Sequence, residues 1–173
     1  MARLRKFVCY RHYERPNTRK SKYRKKSFVR GNPALKIVKF NVGNLQATFS
    51  HRVDLVSREE IQIRDNAVES GRTTATRLLE KVLGKNGFRL QVRPYPHHIL
   101  REHALAAGAG ADRFSSGMAH SFGKPAGNAM RLVENQIIIS VHVNEVNVPL
   151  AREAMQKANH KLPKNCKITV KKN

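Results

Sequence analysis

Apolar residues recur along this chain with two periods, and the changes between them outline its elements. Residues 88–93 (FRLQVR) alternate strictly, which predicts a strand with Phe88, Leu90 and Val92 inward and Arg89, Gln91 and Arg93 outward. Residues 35–42 (LKIVKFNV) and 52–56 (RVDLV) read as two earlier strands around the turn material Gly43-Asn44. Ser57 followed three residues later by Glu60 has the form of a capping box. Behind it Ile61, Val68, Ala75, Leu79 and Val82 return at helical spacing up to Gly84, a candidate C-cap, so the pattern predicts a helix over 58–83. Gly71 shares that stripe, either to allow close packing or as a weak point.

Beyond residue 127 the pattern resumes with strands over 130–134 and 136–143 turning near Asn135. Asn147 is then placed to cap a second helix, with Pro149 in its first turn and Leu150, Ala151, Ala154, Met155 and Ala158 as its apolar face. Residues 166–170 (CKITV) read as a last strand. The order ββα-β-loop-ββαβ, without an internal repeat, predicts an α+β fold. Its simplest packing is a two-layer sandwich, with two helices on one face of a mixed, mainly antiparallel sheet.

Two stretches escape this patterning. The first is the N-terminus, where residues 1–30 carry twelve Lys/Arg and one acid, Glu14. The cations are Arg3, Arg5, Lys6, Arg11, Arg15, Arg19, Lys20, Lys22, Arg24, Lys25, Lys26 and Arg30. Phe7, Tyr10, Tyr13, Tyr23 and Phe28 interleave with them, as rings that stack on exposed bases do. Residues 1–33 therefore read as a basic arm that orders against phosphate, ahead of one domain over 34–173. The whole chain has a formal charge of +22, so its expected partner is a dense polyanion, with nucleic acid ahead of an anionic membrane surface. No apolar run approaches the roughly 18 residues that span a bilayer, and no apolar region follows the N-terminal charges as a secretory signal would require. Cys9 and Cys166, far apart and outside any C-x-x-C pair, fit a reducing cytoplasm.

The second stretch is residues 97–127, rich in Gly, Ala and Ser with Arg101, Arg113 and Lys124 spaced along it. So long an irregular connection in a compact domain is usually functional or ordered by a partner. Gly117 to Lys124 superficially has the look of a phosphate-binding loop. However, five residues separate the glycines, Pro125 replaces the Ser/Thr that would hold magnesium, and no helical pattern follows. His97, His98 and His103 cluster with Glu102, yet at no metal-ligand spacing, and no nucleophile context accompanies them. Asp112 beside Arg113 reads as a turn residue or a loop-internal ion pair. No cofactor, metal or catalytic residue is expected.

The run FRLQVRPYPHHILREHALAAGAGADRFSSGMAHSFGKPAGNAMRL resembles the universal large-subunit ribosomal protein family called L-sixteen in bacteria and L-ten-e in archaea and eukaryotes, and looks like the archaeal/eukaryotic branch. The most specific elements are Ala109-Gly110-Ala111-Asp112-Arg113, Gly117-Met118 and Phe122-Gly123-Lys124-Pro125, with Cys9-Tyr10-Arg11 and Arg30-Gly31-Asn32-Pro33 in support. The resemblance implies a structural protein of the cytoplasmic large ribosomal subunit. Large-subunit rRNA, the vicinity of the five-S rRNA, A- and P-site tRNA and neighbouring ribosomal proteins would be its partners. It implies a tRNA-proximal loop, reaching toward the peptidyl-transferase centre, that contains Arg101, His103, Gly108, Gly110, Asp112, Arg113 and Gly117. Its rRNA contacts would come from the arm cations together with Arg89, Arg93, His97, His98 and Lys124. Two other readings stay open on the residues themselves: an RNA-processing or RNA-modifying enzyme using the histidine cluster, and a free nucleic-acid-compacting protein.

Overall fold

A computed structural model describes residues 5–10, 31–103, 105–106, 108–119, 121–164 and 166–172. Ten of the arm cations, Arg3, Arg11, Arg15, Arg19, Lys20, Lys22, Arg24, Lys25, Lys26 and Arg30, lie outside the described residues. The element order is β1 (Asn41–Gly43), β2 (His51–Val56), β3 (Ile61–Arg64), α1 (Asp65–Leu83), β4 (Arg89–Val92), β5 (His98–Glu102), α2 (Ala111–Phe114), β6 (Lys124–Leu132), β7 (Ile137–Val143), α3 (Val148–Asn159) and β8 (Lys167–Lys172). The class is α+β, with the strands divided between two antiparallel sheets. One has five strands in the order β1-β4-β7-β2-β8, and the other three in the order β3-β6-β5.

The inner face of the larger sheet supplies Val53, Leu55, Leu90, Val92, Ile139 and Val141 to the core. Helix α3 covers it with Ala151, Ala154, Met155 and Ala158, while α1 packs on α3 and on β3 and β6 through Val68, Ala75 and Leu79. Phe88 is fully buried beside the start of β4, so the alternation read there holds. Asn147 stands at the N-cap position of α3, but a 3-10 turn over Glu145–Asn147, not a side-chain bond, leads into the helix.

Three boundaries differ from the periodic reading, each for a physical reason. The helix expected over 58–83 begins at Asp65, because Ile61 and Ile63 are buried as alternate residues of a strand paired with β6. Ser57 does not cap it. Its hydroxyl donates to the Glu59 carbonyl, and its backbone bonds residues 135 and 136, where the chain crosses between sheets. Val82 is exposed instead of joining the buried stripe. The strand expected over 35–42 shrinks to Asn41–Gly43, since Lys36 N–H is taken by the Asp65 carboxylate before any strand partner. Finally, residues 97–127 are not wholly irregular: β5 and β6 enter that stretch from either end and pair from His98↔Ala129 to Glu102↔Lys124. Pro125 is tolerated in β6 because it lies beyond β3, whose pairing begins at Ala129.

Gly71 does allow the helices to approach. A Cβ built there would sit 3.4 Å from the Ala158 carbonyl oxygen and 3.7 Å from its Cβ, which is contact without overlap. Alanine also gains about 1 kcal/mol of helix propensity over glycine. Gly71→Ala is therefore expected to leave the thermal midpoint unchanged or raise it, whereas Gly71→Leu forces α1 and α3 apart and costs about 1–3 kcal/mol. Thermal unfolding of both variants checks this. A large loss with alanine would show that the two helices have no room for a methyl group.

Candidate nucleic-acid interface

The second sheet is a platform for a long hairpin. Strands β5 and β6 run antiparallel, with a bulge between Leu100 and Arg101, and residues 103–123 form the tip. The tip is closed by contacts of its own. Arg101 Nη1 donates to the Gly123 carbonyl at 2.8 Å, and its guanidinium lies 4.4 Å from the centre of the Phe122 ring. Burial holds the Arg101 pKa below that of a free guanidinium, though it remains a cation. The His103 ring, through Nε2, bonds the Gly117 carbonyl at 2.6 Å, across the mouth of the tip. Gly123, at φ 76°, lies so close to the Glu102 backbone that a Cβ would come within 2.7 Å of its carbonyl. These contacts leave Arg113, Phe114 and Met118 facing outward, with Phe114 87% and Met118 69% exposed. Gly110 precedes the single turn of α2 in the left-handed region, and Gly108 and Gly117 also have positive φ.

The foot of the hairpin is tied to the N-terminal segment. The Tyr10 hydroxyl donates to Glu102 Oε1 and accepts from Arg5 N–H at 2.8 Å, while Arg5 Nε donates to Glu102 Oε2 at 3.1 Å. Gln62 Nε2 donates to the Tyr10 carbonyl at 2.7 Å, and Arg131 Nε donates to Gln62 Oε1 at 3.2 Å. Tyr10 packs with Leu100 and Ala129, so residues 5–10 lie against the body. Glu102 is therefore a structural anchor for the loop entrance, not a member of an acid–base cluster.

At the other side of β5, Tyr95 stacks on Phe40 with ring centres 5.4 Å apart, and the His97 ring lies against Tyr95 at 4.7 Å. Beside them is a cleft of about 120 Å³ lined by Asn32, Pro33, Leu35, Tyr95, Pro96, His97, Ile99 and Asn128. His98 points elsewhere. Its pKa is lowered by burial first and then by Arg131 and His97, and its Nδ1 is buried without a partner among the described residues. His97 and His98 are near enough to repel each other while His103 bonds the tip, and no group of three metal-ligating side chains occurs among the described residues. Lys124 opens β6 and is exposed, so a strand, not a helix N-terminus, follows Gly123. The Asp112 side chain lies outside the described atoms.

Arg89 and Arg93 belong to a different surface, the outer face of the five-stranded sheet, and structure does not bring them to the hairpin. Sequence reasoning centred on glycines and cations missed Phe114 and Met118 at the tip and the Tyr10–Glu102–Gln62 anchor. The exposed Phe114 ring and Met118 side chain could have been suspected from apolar residues inside a Gly/Ser-rich run. The anchor joins residues 92 apart and had no local signal.

The family model described as Ribosomal protein L16p/L10e matches residues 18–169. The chain is 41% identical over 169 residues to "Large ribosomal subunit protein uL16" of Methanococcus aeolicus, covering 98% of this chain and 95% of that protein. It is 40% identical over 168 residues to the protein so named from Staphylothermus marinus, covering 97% and 94%. With the Picrophilus torridus protein of that name the identity is 44% over 150 residues, covering 87% and 85%.

Proposed function

Because the chain belongs to the ribosomal protein L16p/L10e family, it is a structural ribosomal protein, not an enzyme, and we propose that it binds large-subunit rRNA and positions tRNA through its hairpin tip. Its relatives carry the name of a large-subunit protein, which supports placing this chain in the cytoplasmic large subunit beside neighbouring ribosomal proteins.

The observation that carries the positioning role is the division of contacts in the hairpin. Arg101, His103, Gly123 and Glu102 are engaged in holding the tip and its foot, while Arg113, Phe114 and Met118 are turned outward. A cation beside exposed apolar groups suits folded and single-stranded RNA, which is recognised through shape, phosphate and stacking. The tip would lie near the A- and P-site tRNA ends, with Gly108, Gly110 and Gly117 allowing its turns and the peptide-bond chemistry left to RNA. The arm cations and Lys124 would neutralise rRNA phosphates, including those near the five-S rRNA, while the His97 ring would stack on RNA and His98, its pKa lowered by burial, would add no charge.

Sedimentation of cell extract through a sucrose gradient tests the assignment. The protein is expected in the large-subunit peak, and its absence there would sink the reading. For the isolated protein with rRNA, roughly ten phosphate contacts predict a slope of log affinity against log salt of about −7, from ~0.7 per contact on single strands. A slope near zero in a filter-binding titration would contradict a phosphate-driven interface.

A further inference from the structure

The cleft beside Tyr95 is small, and its size limits what it can hold. At about 120 Å³ it falls below the ~150 Å³ of a cavity that takes up one benzene, and far below the roughly 300–1,000 Å³ of sites for drug-sized ligands. A single flat ring, part of it left at the mouth, can enter. A larger cofactor cannot.

The cleft lies between two chain segments that the fold brings together. Pro33 and Leu35 come from one, Tyr95, Pro96 and His97 from the other, and the buried Ile99 of β5 and Asn128 of β6 join them. The aromatic wall is braced, since Tyr95 stacks on the half-buried Phe40 and His97 leans on Tyr95 with ring centres 4.7 Å apart. His97 is nevertheless exposed, so part of its ring is left for a further partner.

Asn128 supplies the polar group. Its Nδ2 donates to the Pro33 carbonyl at 2.9 Å and to that of Ala34 at 3.4 Å. Both amide protons are thus directed at backbone oxygens, which sets the orientation of the amide and leaves Oδ1 as an acceptor. Among the described residues nothing donates to it. A buried acceptor is costly to leave unpaired, so this one calls for a donor. A slot for one ring, with an aromatic wall and one acceptor, matches a nucleobase that carries an exocyclic amino group. Cytosine fits best, having one ring and an outward-pointing amino group. Uracil has nearly the same shape but presents a carbonyl oxygen at that point, which Oδ1 repels. Charge favours RNA over a protein side chain. Exposed Lys36 and Lys39 follow one segment and exposed Arg93 precedes the other, so the phosphates of an entering strand meet cations.

We propose that this cleft is a pocket for one unstacked, amino-bearing base of an RNA strand, with cytosine preferred, the base stacked on His97 and its amino group donating to Asn128 Oδ1. The inference rests on the reading of the chain as an RNA-binding protein. It adds a point of base recognition to contacts otherwise made through shape and phosphate.

The experiment titrates the full chain with hexacytidylate and with hexauridylate at one salt concentration, following the Ile99 methyl and Asn128 side-chain amide signals by NMR. Charge and length are equal, so any difference comes from the bases. Both signals should shift with hexacytidylate, which should bind about tenfold tighter than hexauridylate. Cytidine monophosphate, without the strand's phosphates, should shift the same signals only at concentrations at least about a hundredfold higher. His97→Ala should weaken hexacytidylate binding by about fivefold to a hundredfold, the range for one base–aromatic stack. Asn128→Ala should erase the preference for cytosine while hexauridylate binds as to wild type. Should that variant lose its fold, His97→Ala decides alone. His160→Ala, at the exposed end of α3, should change nothing.

Equal binding of the two oligomers, with the Ile99 and Asn128 signals unmoved, would overturn the pocket and leave the RNA-binding reading intact. Cytidine monophosphate that bound as tightly as the hexamer would overturn the strand in favour of a free nucleotide. Shifts produced by N-acetyltryptophan amide and by neither oligomer would overturn RNA in favour of a protein side chain. A chain that bound neither oligomer nor rRNA would overturn both readings.

Discussion

Deleting residues 106–116 is expected to leave incorporation into the large subunit at wild-type level while lowering peptide synthesis by about tenfold or more. The deleted stretch contains one cation, Arg113, and one acid, Asp112, so the formal charge of +22 does not change. Phosphate-driven association depends on the cations that remain. His103 bonds the Gly117 carbonyl across the mouth of the tip and the β5–β6 pairing lies outside the deleted residues, so the hairpin foot survives. What goes is the outward-facing tip with Phe114. Misplacing reacting partners by about 1 Å can cost on the order of 100-fold in rate, so losing a positioning element is felt in synthesis, not assembly. Quantitative sedimentation and a translation assay on purified subunits separate the two. Loss of incorporation, or normal synthesis by subunits carrying the shortened protein, would refute this division of labour.

That division was only partly legible beforehand. Long periodic segments read well: α3, β4 and β7 follow the apolar pattern, because each buries a continuous face against the core, and Gly84 caps α1 where the helical spacing ends. Short strands did not. Ile61-Gln-Ile-Arg64 offers only two alternate apolar residues, too few to outweigh a capping-box signature directly before it, and pairing with β6 decides its state. β5 is similar, with Ile99 and Leu100 buried on either side of a strand whose register then slips by a bulge. At the site, glycines and cations pointed to the right segment, since backbone freedom and charge are local properties. Glu102 stands beside His103 in the chain, but its partners Tyr10 and Arg5 come from the far N-terminal end, so no local pattern shows the anchor. The burial of Asp54 had no local signal either, since the Ser140 hydroxyl that donates to it comes from β7, 86 residues away.

The hairpin's dependence on backbone closeness yields the last large effect. Gly123 and Gly108 both have positive φ, 76° and 113°, so alanine at either costs strain of about 1–2 kcal/mol. They differ in what the new methyl meets. At Gly108 nothing lies within 4 Å, whereas at Gly123 the Cβ falls 2.7 Å from both the carbonyl carbon and oxygen of Glu102. Those are backbone atoms of a paired strand and cannot swing aside. Relief requires β5 and β6 to part at Glu102↔Lys124, which also pulls the Gly123 carbonyl from Arg101 and disturbs the carboxylate that holds Tyr10. Overpacking adds about 1–3 kcal/mol to the strain, so Gly123→Ala should cost about 2–5 kcal/mol where Gly108→Ala costs about 1–2. Amide exchange should then quicken across 98–102 and 124–129 in the first variant and stay near wild type in the second. Equal effects of the two substitutions would mean that the tip is held by its turns alone, and that the close approach at its foot contributes nothing to aiming it.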